Sequence, residues 1–313
     1  MWRALISAPY LQPVIDRYRP RLAEHGIEVV LPETRERLSE NELLSCISDI
    51  DGAICGDDRF SETVLKSAGK LKVIVKWGTG IDSIDVAAAE RRGIRVCNTP
   101  GAFTDPVADT VLGYILAFAR QLYGMDRDIR EGTWRKRLSV TLGECTLGVV
   151  GVGAVGKAVL RRAAAFGMKL IGNDIVPVDP AFLSSIGVMM KPLDDLLADA
   201  DFVSLNCTLN STSFHLIGDR QLSRMKPSSF LINTSRGPVV DETALVRALE
   251  SRRIAGAALD VFEEEPLPAD SPLRRLDTCL LAPHNANAGP AAWDRVHENS
   301  IRLLIEHLNG QGR

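Results

Sequence analysis

No two cysteines in the 313-residue sequence stand at CxxC spacing, and the six present (Cys46, Cys55, Cys97, Cys145, Cys207 and Cys279) follow no zinc-ligand pattern. Most end or interrupt apolar runs, where cysteine acts as a small hydrophobe, so no metal is expected and a reducing compartment fits best. Aromatic residues are scarce, with four Trp and four Tyr, and together with 45% hydrophobic and 25% charged residues this is the composition of a globular α/β chain. Neither sign of charge dominates: 37 basic and 40 acidic residues leave a net charge of -3. There is then no broad pull toward nucleic acid or an anionic membrane, and any anion must be bound locally. No apolar run reaches the length of a membrane-spanning helix, and the opening MWRALISAPYL has one basic residue and no cleavage-like site. These absences lead to the expectation of a cytoplasmic protein.

What is present begins with length. A chain of 313 residues exceeds what one hydrophobic core usually serves, so two domains are expected. The first hundred residues alternate short β-rich runs (WRALISAP, GIEVVLP, DGAICGD, LKVIVKW, GIRVCNT) with longer amphipathic ones. A second series starts near Thr146 with TLGVVGVG and runs through MKLIGND, VMMKPL, DFVSLNC, SFLINTS, IAGAALDVF and CLLAPH. This βα alternation predicts two doubly wound parallel-sheet units. Between them DPVADTVLGYILAFARQLYGMDRDIREG reads as one long helical arm. The final PAAWDRVHENSIRLLIEHL is helical with no strand after it, which predicts that it crosses back onto the first unit. Only the last few residues, Asn309 to Arg313, read as a loose tail.

After the strand TLGVV the chain reads Gly151, Val152, Gly153, Ala154, Val155, Gly156 and enters a helix. Gly151 permits a tight turn, Gly153 lets backbone approach a pyrophosphate, and Gly156 lets helix and strand pack closely. Eighteen residues past Gly156 comes Asp174, ending MKLIGND. A carboxylate there accepts hydrogen bonds from ribose hydroxyls and repels a 2′-phosphate, so NAD is expected rather than NADP.

Three ionisable residues downstream say what the cofactor meets: Arg236 in NTSRG, Glu265 in DVFEEEP and His284 in APHN. Each follows a short apolar segment. Reducing a ketone needs a proton donor of near-neutral pKa, and a neighbouring carboxylate raises that of a histidine. Arginine suits the anchor because its planar fork grips a carboxylate with two bonds. In the first unit, Gly78, Thr79 and Gly80 follow LKVIVKW, where open backbone N–H groups can hold a carboxylate.

Taken in order, GTGID at 78, the GVGAVG turn, NTSRG, DVFEEEP and PH at 283 resemble the D-isomer-specific 2-hydroxyacid dehydrogenase family, closest in flavour to phosphoglycerate dehydrogenases. The resemblance runs from about Asp51 to Gly289. It implies two Rossmann-like domains with the substrate in the cleft between them, and a homodimer. The division implied is 1–98 plus 287–313 for a flavodoxin-like substrate domain and 99–286 for an NAD-binding Rossmann domain. By the same resemblance Arg236 binds the substrate carboxylate and polarises the carbonyl, His284 is the general acid, and Glu265 hydrogen-bonds the histidine. Ala154 and Val155 lie against the pyrophosphate, Cys207 and Thr234 line the nucleotide, Thr79 lies near the cofactor, and Asp260 faces the nicotinamide amide.

The sequence also departs from the family pattern. Asn206, Cys207, Thr208, Leu209 and Asn210 replace a His-x-Pro-Leu-Thr run, and Asn285, Ala286 and Asn287 replace a Gly-rich, Ser/Thr pattern after the histidine. Both alter the wall beside the nicotinamide. Lys76 sits where phosphoglycerate dehydrogenases carry a cation for the substrate phosphate, and Arg135, Lys136 and Arg137 form a basic loop. A distal anionic group on the substrate, as in 3-phosphoglycerate, is therefore expected, with a glyoxylate or hydroxypyruvate reductase as the alternative. A reading from another class is a non-catalytic NAD-sensing regulator, since corepressors share this fold and trio.

Overall fold

The structure, a computed structural model, describes residues 1–310. Of the tail expected from Asn309 onward, residues 311–313 lie outside the described residues. The chain packs as two compact units, one of Met1–Phe103 with the chain from Gly289 onward, the other of Thr104–Ala288.

All twelve predicted strand segments form strands. In the first unit β1 (Trp2–Ile6), β2 (Ile27–Val30), β3 (Gly52–Cys55), β4 (Val73–Lys76) and β5 (Arg95–Cys97) make a parallel sheet in the order β2-β1-β3-β4-β5. In the second, β6 (Thr146–Val150), β7 (Lys169–Asn173), β8 (Met189–Met190), β9 (Phe202–Leu205), β10 (Phe230–Asn233), β11 (Gly256–Leu259) and β12 (Cys279–Leu281) make a parallel sheet in the order β12-β11-β10-β9-β6-β7-β8. Every residue of β3, β4, β9 and β11 is buried, which is why these segments read as continuous apolar runs rather than alternating ones. Neighbours on one strand serve opposite faces: Leu231 falls in one core cluster with Leu205, Leu245 and Leu273, and Ile232 in another with Val111, Ile115 and Val149. Strand order reverses between β6 and β9, and in such sheets ligands bind outside the carboxyl ends of the strands at the reversal.

The long helical arm is not one helix. It divides into Thr104–Ala119 and Leu122–Arg130, with Gln121 between them at φ 54° in the left-handed region. The Gln121 N–H and side-chain amide both donate to the Phe118 carbonyl at 3.2 Å, closing the first helix. No glycine or proline marks the break, so the periodic pattern ran through it.

The terminal helix Pro290–Leu308 packs on β3 and β4 of the first unit. Gly52 of β3 makes room for it, since a Cβ there would lie 2.7 Å from Leu304 Cδ1. At its other end His297 Nδ1 accepts the Trp77 indole N–H at 2.9 Å. Among the described residues no helix is long and apolar enough to cross a membrane, and no cluster of side chains has the makings of a metal site.

Candidate active site

β6 delivers the chain into the glycine turn at the strand-order reversal. Gly151 has φ 89°, and a Cβ on it would come within 2.6 Å of Cys207 N. A Cβ on Gly156 would lie 2.1 Å from the Gly151 carbonyl oxygen. Two of the three glycines are thus required by the protein's own packing. Gly153 differs: nothing lies within 4 Å of its Cβ position, and it caps the exposed N-terminus of the helix Ala154–Ala165. Open backbone at the positive end of a twelve-residue helix suits a diphosphate.

Asp174 stands beside this turn with both carboxylate oxygens held by backbone: Oδ2 accepts from Val152 N at 2.7 Å and Oδ1 from Val176 N at 2.9 Å. Past the carboxyl ends of β9 and β10, Asn206 Oδ1 and Thr234 Oγ1 are buried with no hydrogen-bond partner among the described residues. Buried polar atoms of this kind are costly unless something bonds them. With the open Gly153 they make the edge a fitting seat for a dinucleotide. Burial pushes the Cys207 thiol up to about 11, so it stays a neutral wall there.

The next strands supply the ionisable trio. Asn233, the last residue of β10, is 1% exposed and binds the loop that follows: its amide N–H donates to the Arg236 carbonyl at 2.9 Å, and its Oδ1 accepts from Ser235 N at 3.0 Å and Ser235 Oγ at 2.8 Å. Arg236 is thereby fixed at its own backbone, and its Nη1 donates to the Ser235 carbonyl at 3.0 Å. Gly237 comes next, where a Cβ would lie 1.9 Å from the Phe262 carbonyl carbon and oxygen. The loops after β10 and β11 are therefore in backbone contact, and only glycine fits.

On the second of these loops Glu265 Oε1 accepts from Phe262 N at 2.9 Å, and Oε2 lies 2.9 Å from His284 Nδ1. An ionised carboxylate can only accept, so Nδ1 carries the proton toward Glu265. The histidine sits at φ 51°, unusual for a residue with a side chain, and Asp260 holds it there. The Asp260 carbonyl accepts from His284 N at 2.8 Å, while its carboxylate accepts from Asn285 N at 2.8 Å and Ala286 N at 2.9 Å. Burial pushes the Asp260 carboxyl up from the usual carboxylate range, against the pull of those two N–H groups.

In the first unit Gly78 has φ 137°. Its N–H lies 3.2 Å from Thr99 Oγ1, and Asn98 Nδ2 donates to the Thr79 carbonyl at 2.6 Å. The loop of Gly78, Thr79 and Gly80 is thus pinned from two neighbouring residues. Lys76 is another matter, because its side chain is 4% exposed and its ammonium donates to the Gly56 carbonyl and to Asp57 Oδ1, both at 2.5 Å. It braces the end of β4 from inside. The basic loop is likewise engaged within its own unit: Arg135 and Arg137 each grip Asp128 with two bonds, at 2.6–3.0 Å, and hold its carboxyl well below the usual range.

The second unit matches the model of the D-isomer specific 2-hydroxyacid dehydrogenase NAD-binding domain over residues 112–286. A glyoxylate reductase of Korarchaeum cryptofilum is 39% identical over 95% of this chain and 91% of its own. The chain belongs to the D-isomer-specific 2-hydroxyacid dehydrogenase family. A D-3-phosphoglycerate dehydrogenase of Methanocaldococcus jannaschii is 40% identical over 90% of this chain but 55% of its own length. Among solved structures, a D-lactate dehydrogenase from Aquifex aeolicus, complexed with NAD and lactic acid, superposes with a TM-score of 0.90 at 26% identity, covering 98% of this chain and 96% of that one. The protein is an NAD-dependent 2-hydroxyacid dehydrogenase.

Two features of this dehydrogenase were not legible in the sequence. One is the part of Asn233 in holding the arginine loop, since a sequence does not say where an amide points. The other is a second carboxylate–imidazole pair, His215 Nε2 to Glu263 Oε1 at 2.7 Å, whose members stand far apart along the chain.

Proposed function

We propose that this chain reduces a small, unphosphorylated 2-keto acid of the glyoxylate or hydroxypyruvate class with NADH. The observation that carries this choice over a 3-phosphoglycerate-like substrate is Lys76, whose ammonium is buried against Gly56 and Asp57. The cation expected to meet a distal phosphate already serves a carboxylate. The name of the Korarchaeum cryptofilum relative agrees with this reading.

Bound at the glycine turn, NADH supplies the hydride to the keto carbon. The Gly151, Gly153, Ala154, Val155 and Gly156 segment holds the diphosphate and Asp174 the ribose hydroxyls, while Cys207 and Thr234 line the nucleotide and Asp260 faces its amide. Arg236 takes the substrate carboxylate in its fork and draws electron density toward the carbonyl oxygen. As charge develops on the carbonyl oxygen, His284 Nε2 gives it a proton, and Glu265 holds the ring and stabilises the imidazolium before transfer. Carbon gains the hydride and oxygen the proton, which completes a 2-hydroxy acid.

Loss of NADH absorbance with glyoxylate, hydroxypyruvate and 3-phosphohydroxypyruvate tests the choice. The first two should turn over with the larger kcat/KM, and a preference for the phosphorylated acid would sink the proposal. His284→Ala should lower kcat by about 10²- to 10⁴-fold with NADH binding retained.

We further propose a homodimer formed through the second unit. Arg135 and Arg137 grip Asp128, and the apolar residues that flank them face outward: Trp134 is 92% and Leu138 99% exposed, with Leu122, Tyr123 and Ile129 also exposed. A surface of this kind marks an interaction site. Sedimentation should give a dimer for the parent and a monomer for Leu138→Glu; a monomeric parent ends the idea.

A further inference from the structure

Glu263 and Glu265 leave the same short loop after β11, and each meets a histidine. The Glu265 pair belongs to the chemistry proposed above, whereas the Glu263 pair has no part in it. Glu263 Oε1 lies 2.7 Å from His215 Nε2 and also accepts from Glu242 N at 3.2 Å. Glu242 Oε2 in turn accepts from Glu263 N at 3.2 Å. Glu242 opens the helix Glu242–Glu250, so the bonds form a reciprocal clasp between a helix start and the loop.

His215 joins a third segment to this clasp. Its own N–H donates to the Pro238 carbonyl at 2.8 Å, and its backbone stands at φ 49°, in the left-handed region that costs a residue with a side chain about 1 kcal/mol or more. A strained residue held by bonds at both ends of itself serves as a brace. Pro238 is two residues past Arg236, and Glu263 is two before Glu265. Between these points the two loops touch at Gly237 and Phe262 with no room for a methyl group, so a shift of one is passed to the other.

We infer that the His215–Glu263–Glu242 clasp is a positioning device that sets Arg236 and Glu265, and through Glu265 the ring of His284, for the ketone reduction on which this inference rests. His215 and Glu263 side chains are 37% and 36% exposed, so as a mere surface ion pair they are worth little. Their effect lies in geometry, because one imidazole fixes the loops after three successive strands. With the proton on Nε2 the ring donates to the Glu263 carboxylate, which can only accept. Misplacement by an ångström at such loops is enough to slow chemistry about a hundredfold.

The test uses the full-length chain with NADH and glyoxylate. His215→Ala and Glu263→Ala should each lower kcat by about tenfold with the KM for NADH unchanged, and the solvent isotope effect on kcat should rise as proton delivery slows. Glu263→Gln keeps an oxygen that accepts the same two bonds and should return kcat to within about twofold of the parent. Parental kcat in His215→Ala, an isotope effect equal to the parent's, or Glu263→Gln no better than Glu263→Ala would overturn the inference. If Glu263→Ala does not fold, His215→Ala, which removes a half-exposed ring, decides. Glu265→Ala separates the two levels: if it keeps parental kcat, the proposed catalytic roles themselves fail, whatever the clasp does.

Discussion

Arg236 and His284 owe their placement to two buried residues that do no chemistry of their own, Asn233 and Asp260. Removing the Asn233 side chain deletes three hydrogen bonds in a place water does not reach. Asn233→Ala should therefore cost about 1–3 kcal/mol of stability and raise the KM for the keto acid about tenfold while NADH binding stays unchanged. A thermal shift with an unchanged KM would show that Arg236 finds its place without the amide. At this scale the sequence was partly legible. Arg236, Glu265 and His284 stood out because each ends an apolar run, and the hydrogen bond between Glu265 and His284 was implied by the family resemblance. In the run EEE the family resemblance singles out Glu265, but nothing marks Glu263 until the backbone turns it toward His215. For Lys76 the family resemblance implied a ligand for substrate, and its ammonium is turned inward to Asp57.

The elements themselves were the most legible level, because strands buried on both faces have to be written in Val, Ile, Leu and Ala. The division of the arm at Gln121 was not, since the residue carries no mark of the left-handed backbone it adopts. The terminal helix makes an element-scale prediction. His297 on that helix is buried, and burial lowers its pKa from the ordinary value of 6.5, with Asp294 and Glu298 opposing and Arg17 assisting. Its neutral Nδ1 receives the Trp77 N–H, a bond that protonation there would abolish. The unfolded chain therefore takes up this proton first as pH falls below about 6.5, and the fold loses stability in that direction, while at higher pH the group exacts no penalty. Thermal midpoints measured from about pH 8 down to pH 5 should fall less steeply for His297→Gln than for the parent. Equal slopes would place the acid sensitivity elsewhere.

At the scale of the whole molecule, alternation of strand and helix patterns showed two doubly wound sheets, and the ordered motifs pointed to the family. Hidden from it was which way the Lys76 ammonium faces, the observation on which the proposed choice of a plain keto acid rests. The route of the chain has a consequence for biosynthesis. Residues 1–103 leave the ribosome first, yet the apolar side of β3 and β4 has to wait for the helix Pro290–Leu308 to cover it. The continuous stretch from Thr104 to Ala288 carries no such debt to later residues. The unit whose residues emerge first is thus completed after the one that follows it, and the groove left by Gly52 stays open in the nascent chain until Leu304 arrives to fill it.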